Sequence, residues 1–315
     1  MHAPKEQALH RKQACRGRPL SSHAEIASPP VYSQFCAAAP CFSKTSAEVC
    51  CETPDQLDLG PNSRPDRPNN EEATLKTKLG QFKYLTFDVV GTLIDFEGGL
   101  TASLAEIAAE AGRTVDGEQA LSLYRAARYS ADADLFPDDL VRVYAEIAPQ
   151  LGLPVGTAFG ERFRDSAKSW KAFPDSPAAL ARLAKRSRLI AMTNARRWAL
   201  DHFEHELGMP FFATFTVDDT GTEKPDPAFF QQVIDFVAHD GGSKASILHV
   251  AQSQYHDIGI SRQLGLTNCW IERRHAQPGY GGTIEPAEFT EPDFHFHSLA
   301  ELADAVDIET KPTVS

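Results

Sequence analysis

The chain has 315 residues, 42% hydrophobic and 23% charged, with 31 basic against 43 acidic side chains and a net charge of −12. These proportions suit a soluble globular protein of one or two domains. The apolar runs fall far short of the ~18–20 residues of a bilayer span, and the acidic balance disfavours phosphate-backbone binding, so neither a membrane nor a nucleic acid is expected as partner.

Residues 1–81 hold nine of the 21 prolines and five of the six cysteines, with ten basic and nine acidic side chains. They carry no sustained hydrophobic period, and such a segment buries too little apolar area to offset its ordering entropy. A disordered N-terminal extension is expected. No apolar stretch follows Met1, which speaks against a secretory signal; five basic residues and one acid among the first 18 resemble a transit peptide only weakly. Cys15, Cys36, Cys41, Cys50 and Cys51 have no zinc-site spacing, so the expectation is reduced thiols in a cytoplasmic protein. Cys269, in the apolar Cys269-Trp270-Ile271, reads as a buried small hydrophobe.

The texture changes at Phe82. Residues 82–87 (FKYLTF) form a β-rich run, followed downstream by apolar runs at 189–192, 214–217, 247–250 and 267–271. Helical patterns lie between them. Ser176-Pro177 reads as an N-cap with proline at the first helical position, and Asp226-Pro227 repeats the device. Strands alternating with helices imply an α/β fold, a Rossmann-like parallel sheet covered on both faces. Between the first two strands lies an insert of about 80 residues with no strand signal. Ser103-Leu104-Ala105-Glu106 reads there as a capping box with Gly112 as a stop, and helical patterns follow near 117–130, 138–150 and 157–170. The organisation predicted is a core of residues 82–97 and 176–308 with a helical cap at 98–175, above the strand ends where open α/β sheets bind ligands.

Four polar clusters fall at four strand ends or in the loops after them: Asp88, Thr193-Asn194, Lys224, and the stretch from Gln252 to Asp257. Each has an ordinary reading as a turn, a cap or a solvated charge. Together they would converge on one crevice.

At this point the chain resembles the haloacid dehalogenase superfamily of hydrolases. Phe87-Asp88-Val89-Val90-Gly91-Thr92-Leu93 looks like its first motif, Thr193-Asn194 its second and Lys224-Pro225 its third, while residues 251–257 stand in place of an acidic fourth motif and keep its last Asp. The resemblance implies that Asp88 is a carboxylate nucleophile forming a covalent ester, which water then cleaves. Lys224 would keep Asp88 ionised, Asp257 would support the water, and Thr92, Thr193, Asn194 and Gln252 would bind the substrate. Gly91 permits the tight turn beside the nucleophile.

The superfamily's phosphatases carry a second Asp two residues after the nucleophile and another in the fourth motif for magnesium. Here those positions hold Val90 and Gln252. A halide needs no proton to leave, so both absences favour a dehalogenase-like reaction, and no metal or other cofactor is expected. The type II 2-haloacid dehalogenases are the subgroup most similar, through the segment from Leu264 to Arg273. In them a cap arginine helps to bind the halide; Arg125 and Arg128 are both candidates. The chain departs from the subgroup at Val90, at Phe230 in place of a tyrosine, at Gln252 and Gln254 in place of Ser and Asn, and at His256. The resemblance further implies a small-molecule substrate and a homodimer. The alternatives are a small-molecule phosphatase and a catalytically silent capped binding protein.

Overall fold

The computed structural model describes residues 78–309. The extension expected at 1–81, with its five cysteines, lies outside the described residues except for its last four. Those four correct the boundary: residues Leu79–Gln81 form a short 3-10 turn, Leu79 is buried, and the Gly80 amide donates to Glu309 at 3.1 Å. A leucine that packs against the C-terminal helix belongs to the folded body.

Six strands make one sheet in the order β3-β2-β1-β4-β5-β6, with every pairing parallel. They are β1 (Tyr84–Asp88), β2 (Arg188–Met192), β3 (Ala213–Phe215), β4 (Ile247–Ala251), β5 (Thr267–Ile271) and β6 (Phe294–Phe296). The five strands expected are present, the last with the ends expected and the other four with shifted ones. The third stops at Phe215 because Thr216 opens a capping box with Asp219, and β6, three residues long at the sheet edge, has too short a pattern to stand out.

Four helices make up the insert that follows β1: α1 (Phe96–Glu110), α2 (Gly117–Arg128), α3 (Leu140–Ile147) and α4 (Thr157–Asp165). The capping box expected at Ser103 is instead the middle of α1, which starts seven residues earlier with Asp95 accepting the Gly98 amide at 2.9 Å. Ser103 is buried there. Residue 98 therefore falls inside a helix rather than between elements. The stop holds: α1 ends at Glu110 with Ala111 as its C-cap, and Gly112 takes the left-handed φ of 67°.

After β1 and its insert come α5 (Ser176–Leu183), α6 (Arg197–Leu207), α7 (Val217–Thr220), α8 (Pro227–His239), α9 (Gly259–Gln263) and α10 (Leu299–Glu309). Ser176 is the first residue of α5 rather than its cap; Asp175 precedes it, and its carboxylate is taken by Arg273 and by the first amides of α10. Asp226 caps α8 as expected, accepting the Ala228 amide at 2.8 Å.

One hydrophobic cluster joins Leu85 and Phe87 to α5, α6, α10 and the inserted helices, among them Leu100, Leu104 and Tyr144. A second covers the other face, where Phe229, Phe230 and Val233 of α8 pack against Ile190 and Met192. From β1 the chain order runs outward in both directions, to β2 and β3 on one side and to β4 and beyond on the other. That reversal leaves a crevice beyond the carboxyl end of β1.

Candidate active site

Asp88 is the last residue of β1, and Lys224 reaches it from the loop after α7. Lys224 Nζ donates to Asp88 Oδ1 at 2.9 Å, to Asp257 Oδ1 at 2.7 Å and to the Met192 carbonyl at 3.1 Å. The ammonium is thus divided between two carboxylates, all three groups being buried. Asp88 Oδ2 accepts the Thr92 hydroxyl at 2.6 Å, and Thr92 Oγ1 in turn accepts the Gln252 amide at 2.9 Å, tying the turn after β1 to the end of β4. Gly91 allows that turn with a φ of 91°.

The electrostatics separate the two acids. Burial pushes the Asp88 carboxyl above its ordinary value, against the pull of Lys224 and with the charge of Asp257 adding to the rise. Asp257 is buried as well, but the Lys224 ammonium and the His249 hydrogen bond outweigh that and hold it at about 2. Lys224 is raised despite its burial, because both carboxylates favour its charged form.

His249 is a member of this network that sequence reasoning missed. It sits inside β4, opposite Thr86 in the register of β1, with Thr86 Oγ1 2.9 Å from Nδ1 and Asp257 Oδ1 3.1 Å from Nε2. The signal was available: a histidine in the otherwise apolar Ile-Leu-His-Val-Ala strand requires a buried partner. Phe230 lies with its ring 5.3 Å from that of His249, offering an apolar edge and no hydroxyl.

Asp88, Val90, Thr193, Asn194, Lys224, Gln252 and Asp257 all border one cavity of about 470 Å³. The structure gives several of them duties toward one another. Asn194 clamps Lys224 by its backbone, its Nδ2 donating to the Lys224 carbonyl at 2.9 Å and its Oδ1 accepting the Lys224 amide at 2.7 Å. Thr193 Oγ1 accepts the Ala195 amide at 3.1 Å. Gln252 holds Trp270 Nε1 at 2.8 Å through its carbonyl.

The inserted helices supply the opposite wall through Tyr124, Arg128, Tyr129 and Phe136. Arg128 borders the cavity, with Nη2 3.2 Å from Glu223 and Nη1 3.8 Å from the buried Asp139. Arg125 does not border it; its guanidinium donates to the Gly281 carbonyl. Sequence reasoning passed over Glu223, whose carboxyl is raised by burial, and Tyr129, which joins Ser253 and His256 of the polar stretch after β4 in a chain, with Ser253 Oγ 3.0 Å from His256 Nδ1 and Tyr129 Oη 3.4 Å from Nε2. Burial lowers His256 to about 4, so its ring is neutral at pH 7.

The donor set does not fit magnesium. A hard dication seeks carboxylate and water oxygens. Here an ammonium already lies between the two acids, and Val90 and Gln252 bring no further carboxylate.

No curated protein matches the chain by sequence. Among solved structures it is similar to the L-2-haloacid dehalogenase PA0810, at 21% identity and TM-score 0.60 over 72% of this chain and 99% of that one. It is similar to the L-2-haloacid dehalogenase of Xanthobacter autotrophicus with chloropropionic acid covalently bound, at 19% identity and TM-score 0.54 over 72% and 98%. The HAD-hydrolase YfnB of Bacillus subtilis, bound to magnesium, is similar at 16% identity and TM-score 0.58 over 72% and 99%. Identities this low speak to the fold alone. The family of haloacid dehalogenase-like hydrolases, by contrast, matches residues 82–250, more than half of the sequence, and the chain belongs to it.

Proposed function

We propose that this hydrolase cleaves the carbon–halide bond of a small 2-halogenated organic acid through an ester on Asp88. The observation that carries the reading is the pairing of Asp88 with Val90. Asp88 faces the cavity between Thr92 and Lys224, while the second residue after it presents hydrocarbon to the same cavity. A leaving alkoxide would need a proton from that position, and Val90 has none to give; a halide leaves with its electron pair and needs none.

In this reading one Asp88 oxygen attacks the halogen-bearing carbon. A carbon–oxygen bond forms as the carbon–halide bond breaks. Water then adds to the Asp88 carbonyl carbon and expels the hydroxy acid, releasing one proton to solvent and regenerating the carboxylate. Asp257 is held below the ordinary carboxylate value by Lys224 and His249 and so stays ionised beside that water. Its role is to fix Lys224 and to accept the water's hydrogen bond through Oδ2, which has no protein partner among the described residues. Arg128, carried over the cavity by the insert acting as a cap, would receive the halide. Thr193 and Asn194 act through the turn they build beside Lys224. A cavity of about 470 Å³ suits a small substrate, and the covalent chloropropionic acid of the Xanthobacter neighbour is the kind of species expected here.

The test is a paired screen of halide and phosphate release from small acids and phosphomonoesters, with and without magnesium. Halide release indifferent to magnesium is expected. Magnesium-dependent phosphate release without halide release would overturn the reading in favour of a phosphatase.

A further inference from the structure

Away from the crevice, four ligating side chains gather where β5 and β6 end. Glu272 follows β5 directly, His275 lies one turn later, His295 is in β6 and His297 follows it. One oxygen, Glu272 Oε2, has His295 Nε2 at 2.9 Å, His275 Nδ1 at 3.4 Å and His297 Nε2 at 3.6 Å. Only the first of these is a good hydrogen-bond length. The other two match another geometry: ligands about 2.0–2.2 Å from a tetrahedral zinc lie roughly 3.3–3.6 Å apart. One ligating atom each from Glu272, His275 and His297 all lie within 4.8 Å of one another.

The backbone holds this arrangement. The Glu272 amide donates to the Phe296 carbonyl at 2.8 Å and the His275 amide to the Glu272 carbonyl at 3.0 Å. The His275 and His297 rings stack with centroids 3.6 Å apart, so one of them turns out of the stack for both nitrogens to face one ion. His275 and His297 are 55% and 44% exposed, so a hydrated ion can reach them. Two imidazoles and a carboxylate, with a fourth position open to water, suit a borderline cation of the zinc class better than magnesium or calcium.

We propose that Glu272, His275 and His297 bind a zinc-class divalent ion, with His295 as a positioning residue that orients the Glu272 carboxylate. The ion would join the two ends of the excursion between β5 and β6, whose middle brings Gly282 and Thr283 to the wall of the active-site cavity. Binding only the folded form, it would also raise the melting temperature.

The experiment titrates zinc chloride into the full chain by calorimetry, with thiols first blocked by iodoacetamide because five cysteines lie in the first 81 residues. One zinc equivalent is expected, absent from His275→Ala/His297→Ala, weakened about tenfold in His295→Gln, and retained in Asp88→Asn. Magnesium chloride should not compete. Circular dichroism checks that the double variant is folded, and Glu272→Gln serves as a second loss-of-ligand variant. The proposal fails if the blocked chain binds no zinc, if the histidine variants keep the equivalent, or if Asp88→Asn alone removes it. The readout is binding, so its failure leaves the dehalogenase reading untouched, and the reverse also holds.

Discussion

Lys224 serves two carboxylates whose demands differ. Asp257 takes its charge at close range together with the His249 hydrogen bond and stays ionised almost to pH 2, whereas Asp88 is left above the ordinary carboxylate value of 3.8 by burial. The signs give a prediction. In the proposed mechanism ester formation needs ionised Asp88, so single-turnover rates should fall as pH drops through its raised value. Asp257 works in the other sense: the stability it contributes is complete above its unfolded value of 3.8 and is lost only as pH falls toward 2. Rate should therefore decline while near-UV circular dichroism still reports a folded protein; coincident loss of rate and fold would remove Asp88 ionisation as the cause. Substitutions should divide the two steps. Lys224→Ala should slow ester formation, and Asp257→Asn should slow ester breakdown so that a mass adduct accumulates on Asp88. In heavy-oxygen water a first turnover should label the Asp88 carboxylate and leave the product hydroxyl unlabelled; label in the product would mean that water attacks the substrate directly. Asp88, Lys224 and Asp257 were legible because charged residues at parallel strand ends, or in the segments that follow them, have one crevice to meet in. The choice between Arg125 and Arg128 was not. They lie three residues apart on α2, and only the packing of that helix decides that Arg128 turns to the cavity while Arg125 turns to Gly281.

At the scale of the element, α1 shows tertiary packing overriding a local signal. Gly98-Gly99 discourages a helix, by about 1 kcal/mol for each glycine relative to alanine, and Ser103 offers a plausible later start. Yet α1 runs through both glycines, because Trp170 lies against Gly99. A Cβ at residue 99 would stand 2.2 Å from the indole, whose ring also stacks on Phe203 at 6.1 Å and meets Phe96 and Phe136 at 6.5 and 5.9 Å. Trp170 thereby ties the insert to α6, and it has no room to retreat. Gly99→Ala sets the helix gain of about 1 kcal/mol against overpacking of about 1–3 kcal/mol, so net destabilisation is expected in urea unfolding. Gly117→Ala is the control. Its Cβ would meet Thr101 at an ordinary 3.6 Å, so it should be neutral or stabilising. Were Gly99→Ala the more stable of the two, the close approach of Trp170 would not be what the glycine is for. The strands, by contrast, were legible almost to their ends, since runs apolar on both faces are what a covered parallel sheet demands.

Across the whole molecule, the insertion after β1 sets a helical wall over the place where the strand order reverses, so one chain excursion makes both the cavity and its cover. What remains to be divided is the N-terminal side. The composition of residues 1–77 offers little apolar surface, but the body begins before the first strand: Leu79 is 4% exposed and Phe82 2%, with the Phe82 ring edge-on to Phe294 at 6.5 Å. Sequence reading placed this boundary three residues late because a single leucine beside a glycine carries no period. Two truncations test it. A chain beginning at Lys78 keeps every one of these contacts and should show the denaturation midpoint and turnover of the full chain. A chain beginning at Lys83 loses both side chains. Core leucine and phenylalanine truncations cost about 2–5 and 3–5 kcal/mol, so the loss should be about 5 kcal/mol or more, a large share of the roughly 5–15 kcal/mol that holds a domain folded. If the chain beginning at Lys78 already falls by that amount, residues 1–77 pack on the body and the argument from their composition is wrong. If the chain beginning at Lys83 keeps its midpoint, the turn at Leu79–Gln81 adds nothing to the core and the fold begins at β1.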